Sequence, residues 1–213
     1  MDEKMEKILD YVGTAIRGPG AHGFDHTKRV VRLCEMIGAR EGADMAVLIP
    51  AALFHDIARP LEEETGVPHE EAGAAMAESF LRSIHYPPDR IAGIAHAIRA
   101  HRYSSGIAPG TQEARILSDA DNLDAMGAVG IARTFMQSGE QGRGITDATG
   151  HIHEKLLNLR DLMYTESARS IAERRHAFLV AFLDALEDEM GARFPAPPEA
   201  GPDHPRTPAE PSR

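Results

Sequence analysis

The run Ala46 to Phe54, AVLIPAALF, is apolar on every side and ends directly in His55-Asp56. A helix over this run has no polar face to turn to water, so it is expected to be buried all round at the centre of the fold. The two groups that follow do not belong in an apolar interior. A buried carboxylate is normally paired, protonated or bound to a metal. Successive helix positions diverge by about 100°, so the two side chains straddle a point rather than share a face. A cation at that point would satisfy both. The plainer account is a helix end at which Asp56 pairs with Arg59.

The chain around this run reads as helices throughout. Met5, Ile8, Leu9, Val12 and Ile16 recur at helical spacing over residues 3 to 16, and Gly18-Pro19-Gly20 ends that helix. Asp25 is a candidate N-cap for a helix from His26 to Arg40, whose stripe is Val30, Leu33, Cys34 and Ile37. His26 lies on the same stripe, four residues before Val30. Gly42 closes that helix, Asp44 can cap the central one, and Pro50 predicts a kink or break one turn before His55. Glu62-Glu63-Glu64 reads as a solvated acidic loop. Pro68 opens a helix to about Ile84, with small residues from Ala72 to Ala77 that allow close packing, and Asp89 to Arg102 forms another.

Thr111 can cap a single helix running to about Met136, with Leu117, Asp121, Ala125 and Ala128 on one stripe. Asp124 is close to that face, whereas Asp119 is on the far side, in reach of Arg115. Glycines at 139, 142, 144 and 150 predict a mobile loop from 138 to 150 that could lie over a site. Helices over 151 to 164 and 166 to 190 follow, then a Pro-rich tail, 193 to 213, expected to be disordered. No alternating strand pattern and no repeat interrupts this. The expectation is an all-α, single-domain helical bundle over residues 1 to 192.

Three buried stripes therefore each carry a polar group: His26, His55-Asp56 and Asp121. Each has an ordinary explanation alone; together they are a good donor set for a divalent ion (Mn, Fe, Co, Ni, Zn or Mg) with room for water. The same residues resemble, in type, order and helical setting, the H…HD…D signature of the HD superfamily of metal-dependent phosphohydrolases. The phrases GFDHTKRV, AALFHDIA and DADNLDAMGAVGIAR carry the likeness over residues 22 to 130. The resemblance implies a helical bundle of the HD-domain type, with those four residues holding the metal between central helices. HDIARP and HEEAGA resemble the small members that cleave nucleoside triphosphates to the monophosphate and pyrophosphate.

Relatives with two metals place extra histidines where this chain has His69, His96 and His101. His69 opens a helix and His101 ends one, so both can lean toward a shared cavity. His96 and His101 are about 140° apart on a helix and cannot both face it unless the helix ends between them. Lys28, Arg59, Arg99 and Arg102, with the three histidines, are candidates for binding substrate phosphates, and Asp124 or Glu70 for taking a proton from water. No aromatic-rich segment is suited to gripping one base; Tyr103 alone lies near His101.

A net charge of −10 argues against binding polymeric nucleic acid through a broad basic surface, but not against a small phosphorylated ligand, in particular a nucleotide. The single Cys34 excludes an intramolecular disulfide and suits a reducing compartment. With a charged amphipathic start and no apolar run near the roughly 18 residues of a membrane span, the expectation is a cytoplasmic protein that could form a homodimer. The competing activities are a 5′-nucleotidase and a cyclic-nucleotide phosphodiesterase. The competing class is a non-catalytic nucleotide- or metal-binding module.

Overall fold

The central apolar run folds as a buried helix against which five of the others pack. In the computed structural model, which describes residues 3–16, 23–102 and 105–191, the helices in chain order are α1 (Glu3–Ala15), α2 (Phe24–Glu41), α3 (Met45–Phe54), α4 (Arg59–Thr65), α5 (His69–Ser83), α6 (Pro88–Ala100), α7 (Gln112–Asp124), α8 (Gly127–Glu140), α9 (Ile145–Glu154) and α10 (Glu166–Glu189). A 3-10 helix, Leu156–Leu162, precedes α10. There is no strand among the described residues, and no helix among them is long and apolar enough to cross a membrane. The Pro-rich tail, His22 and Tyr103 lie outside the described residues.

Helix α3 packs against α1, α2, α5, α6 and α7. Its stretch from Val47 to Phe54 is buried except for the partly exposed Ile49, as its composition requires. Gly42 ends α2 in the left-handed region at φ 73° and returns its N–H to Gly38. Asp44 then caps α3, its side chain accepting from the Ala46 N–H at 2.9 Å. Asp25, expected as the cap of α2, lies inside its first turn, one residue after Phe24; Gly23 takes the cap position.

Pro50 does not break α3. A proline leaves the carbonyl four residues earlier without its helical donor. That carbonyl, Ala46 O, accepts instead from the Tyr86 hydroxyl at 2.7 Å, which fastens the α5–α6 connection to the central helix. The break comes at His55, where a tight turn carries the Arg59 N–H onto Asp56 O at 3.1 Å. Gly73 of α5 faces this turn: a Cβ there would lie 3.5 Å from Phe54 O, ordinary contact distance, so the two backbones come close.

Four sequence expectations need correction. The helix from Thr111 stops at Asp124 and a second starts at Gly127, because Gly127 adopts φ 69° and turns the chain; Ala128 is consequently exposed rather than on a buried stripe. Asp119 is buried and does not pair with Arg115. Its carboxylate accepts from Tyr164 N, Thr165 N and Thr165 Oγ1 at 2.7–2.9 Å, fixing the start of α10. The glycine-rich stretch from 138 to 150 is the end of α8, a four-residue connection at 141–144 and the first part of α9, which ends at Glu154 rather than running to 164. The acidic run at 62 to 64 lies in α4, and Glu62 is engaged by His69 and Arg102.

Candidate metal centre

The first turn of α2, the turn after α3 and the last turn of α7 bring His26, His55, Asp56 and Asp121 to one point. His26 Nε2 lies 3.2 Å from His55 Nε2, 3.3 Å from Asp121 Oδ1 and 3.5 Å from Asp56 Oδ2. His55 Nε2 is 3.7 Å from Asp56 Oδ2 and 4.0 Å from Asp121 Oδ1. Donors about 2.1 Å from a common ion are about 3.0 Å apart across a right angle and about 3.4 Å apart at a tetrahedral one. The three edges from His26, at 3.2–3.5 Å, match such an ion, and the two longer ones from His55 correspond to wider angles at it.

The other oxygen of Asp56 enters a second cluster. Asp56 Oδ1 lies 3.3 Å from His69 Nε2 and 3.7 Å from His101 Nε2, and those two nitrogens are 3.4 Å apart. His69 is the first residue of α5 and His101 caps α6, still at helical φ −68° and ψ −35°, so it faces inward while His96, about 140° round the axis, faces away. Asp56 thus stands between two groups of donors of similar dimensions, each able to hold a metal.

All four imidazoles are oriented alike. Nδ1 of His55 and of His101 each meet a backbone carbonyl, Ala52 O at 2.8 Å and Ile98 O at 2.6 Å, so each must donate. Nδ1 of His26 meets Asp124 at 2.8 Å and that of His69 meets Glu62 at 2.7 Å. In the neutral rings every Nε2 therefore presents a lone pair inward, the arrangement that outer hydrogen bonds impose on metal-ligating histidines. Two such lone pairs facing each other at 3.2 or 3.4 Å repel unless a cation or proton lies between them.

The titration behaviour carries the same demand for positive charge. Burial lowers the His26 pKa, but hydrogen bonds to Asp121, Asp124 and Asp56 outweigh it and carry the ring up to about 10. Burial, helped by the neighbouring His101 and His26, pushes His55 down to about 4 against the pull of Asp56 and Asp121. Burial also opposes ionisation of Asp121 and Asp124, yet both are held well below the usual carboxylate range, Asp121 by His26 and Asp124 by His26 and Arg29.

The remaining candidates are spread more widely. Asp124 is buried and touches the outer nitrogen of His26, accepting also from Arg29 at 2.7 and 2.9 Å and from Arg133 at 2.6 Å. Glu70 is buried beside the second cluster, 3.4 Å from His69 Nδ1. Arg59 pairs with Asp56 at 2.7 Å, and Arg102 with Glu62 at 3.1 Å and Glu70 at 3.5 Å. His96 is engaged elsewhere, accepting from the Gly110 N–H at 3.0 Å. Arg99 binds Glu71 and Glu78, and Lys28 pairs with Asp25 and lies over the Phe24 ring.

Sequence reasoning passes over Arg29, Glu62 and Arg133. Arg29 could have been found, three residues from His26 on the same helix. Glu62 was hidden by its acidic neighbours, and Arg133 by the break between α7 and α8.

A helical bundle with histidines and aspartates converging between its central helices defines the class of all-α proteins whose central helices present a donor set able to hold a metal. Residues 23–126 match the HD domain family model. The uncharacterized protein YpgQ of Bacillus subtilis is 34% identical over 199 residues, 88% of this chain and 94% of YpgQ. The crystal structure of YpgQ in complex with ADP superposes with a TM-score of 0.72 at 30% identity, covering 87% of this chain and 97% of that one. A predicted HD superfamily hydrolase from an uncultured Thermotogales bacterium is 35% identical, with a TM-score of 0.69 over 88% of this chain and 93% of its own. The chain belongs to the HD superfamily.

Proposed function

We propose that this protein is a metal-dependent phosphohydrolase that cleaves nucleoside triphosphates, deoxy forms among them, to the monophosphate and pyrophosphate. The observation that carries the reading is the pair of inward-facing donor clusters sharing Asp56. His26, His55, Asp56 and Asp121 would hold one divalent ion, and Asp56, His69 and His101 a second. Bound there, the metal would activate water and polarise a phosphoryl oxygen.

Charge explains why the substrate is an anion. Around the first cluster Asp56, Asp121 and Asp124 are offset by Arg29, Arg59 and Arg133. Neutral imidazoles add nothing, so a divalent ion in the first cluster leaves its own charge uncompensated, and a phosphate chain is the natural counter-charge. Asp124 is saturated by His26 and two guanidiniums and holds the His26 ring in place; Glu70 is left as the proton acceptor beside the second cluster. The ADP complex of YpgQ supports a nucleotide. A cytoplasmic location suits such a substrate.

The test is a panel of ribo- and deoxynucleotides with Mn and Mg, with the products separated by ion exchange. Monophosphate and pyrophosphate in equal amounts, abolished by chelation, is the expected result. Orthophosphate from monophosphates, with triphosphates ignored, would make it a 5′-nucleotidase; opening of cyclic nucleotides alone would make it a phosphodiesterase. Nucleotide binding with no turnover under any metal would leave a binding module.

A further inference from the structure

The direction in which the phosphate chain leaves the centre can be read from the charges that flank it; this step rests on the phosphohydrolase reading above. We propose that the phosphates beyond the reacting one lie over Arg29 and Arg133, on the side formed by α2 and α8, and not over Arg102 on the side formed by α4 and α5.

Access comes first. Among the six side chains of the two clusters, those of His26, His55, Asp56, His69 and His101 are 0% exposed, and only that of Asp121, at 25%, reaches solvent. A substrate therefore enters past Asp121, one turn of α7 before Asp124.

The two flanks differ in sign. On the α2–α8 side two guanidiniums share one carboxylate: Arg29 grips Asp124 through Nε and Nη2, and Arg133 adds a third bond to the same group. Arg175 of α10, whose guanidinium donates to Leu123 O, feels the same carboxylate from a third direction. Two guanidiniums thus stand on one carboxylate, and both Arg29, at 31%, and Arg133, at 14%, retain solvent exposure. Burial works against the charge on Arg133 and on Arg175, a penalty that an arriving anion relieves.

On the α4–α5 side the balance is reversed. Arg59 is matched by Asp56, while Arg102 meets two carboxylates, Glu62 and Glu70. A phosphate placed there would face two carboxylates around one guanidinium, where the other side offers two guanidiniums around one carboxylate. Arg133 is two hydrogen bonds from the His26 ring, by way of Asp124, a separation that a di- or triphosphate chain spans from the metal cluster. Reach is alike on the two sides, since Arg102 is two hydrogen bonds from the His69 ring by way of Glu62, so the sign of the charge decides.

The experiment compares AMP and ADP binding to the Mn-loaded protein by calorimetry, with metal content measured in each variant. Wild type is expected to bind ADP more tightly than AMP. Arg133→Gln should weaken ADP about tenfold while changing AMP little, and Arg133→Lys should restore part of the loss. Arg102→Gln should leave the ADP-to-AMP ratio as it was. Arg29→Gln, at a more exposed position, gives the same reading if Arg133→Gln fails to fold. Equal weakening of AMP and ADP in both arginine variants would reduce the cluster to a support for His26 and overturn the proposal. So would a ratio that collapses in Arg102→Gln. If either happens while wild type still hydrolyses triphosphates with metal, the phosphohydrolase reading stands without this subsite; if wild type neither turns over nor binds nucleotide, both fall.

Discussion

Asp56 joins the two donor clusters, with Oδ2 facing His26 and His55 and Oδ1 facing His69 and His101. The clusters also touch through the His55 and His101 rings, whose centroids are 5.2 Å apart, but Asp56 is the carboxylate that offers one oxygen to each. Asp56→Ala is therefore expected to abolish metal binding in both clusters, and elemental analysis of the purified variant checks it; metal content equal to wild type would refute the assignment. Asp124 acts one step removed. Asp124→Asn replaces the charged acceptor behind His26, so metal affinity should fall about 10- to 100-fold while the fold survives. A metal titration of both proteins reads this directly. At this scale the sequence was informative wherever a polar group sat on an apolar stripe, as His26 and Asp121 do. It was silent where a partner comes from a distant element, as Asp124 does for Arg29 and Arg133.

Among the elements, two joints decide whether the centre assembles. The first is the α7–α8 break. A Cβ on Gly130 would overlap the Ala125 carbonyl, so Gly130→Ala must shift the joint that carries Asp124 and Arg133 toward each other. A loss of about 1–3 kcal/mol in urea melts is expected, as for other overpacked positions. The second is the tie between α2 and α10, where Glu41 accepts from the Ser167 N–H at 2.9 Å. Hydrogen bonds from Ser167, with a smaller contribution from Arg169 and against a slight effect of burial, hold its pKa below the usual 4.5. A carboxyl depressed in the folded state contributes stability that is complete above its unfolded pKa and disappears as pH falls through the folded one. Glu41→Gln should thus lower the melting temperature at pH 7, and the gap to wild type should shrink as pH drops below about 4.5. A gap independent of pH would show that the charge plays no part. Tyr86→Phe tests the central helix itself: it strands the carbonyl that Pro50 leaves open and should destabilise by about 1–3 kcal/mol.

Across the whole molecule, the centre links folding to ligand. The clusters draw on α2, α3, α5, α6 and α7 or the residues that cap them, so an ion bound there ties most of the bundle together. An ion at a hundredfold excess over its Kd stabilises by about 2.7 kcal/mol if it binds only the folded chain. Removing it with a chelator should lower the melting temperature, and an unchanged melt after verified removal would sink that expectation. The all-helical architecture, the buried central helix and the burial of His26, His55 and Asp56 were legible in the sequence, because apolar periodicity is a local property that each segment carries on its own. Asp119 bonding to the start of α10, the split between α7 and α8, the placing of His69 and His101 but not His96 against Asp56, and the unequal charge of the two flanks were decided only by the tertiary structure. Each depends on which distant backbone or side chain packing brings within hydrogen-bond range, and residues 45 or 95 positions apart, as in Asp119 with Tyr164 or Arg29 with Asp124, leave no periodic trace of their meeting.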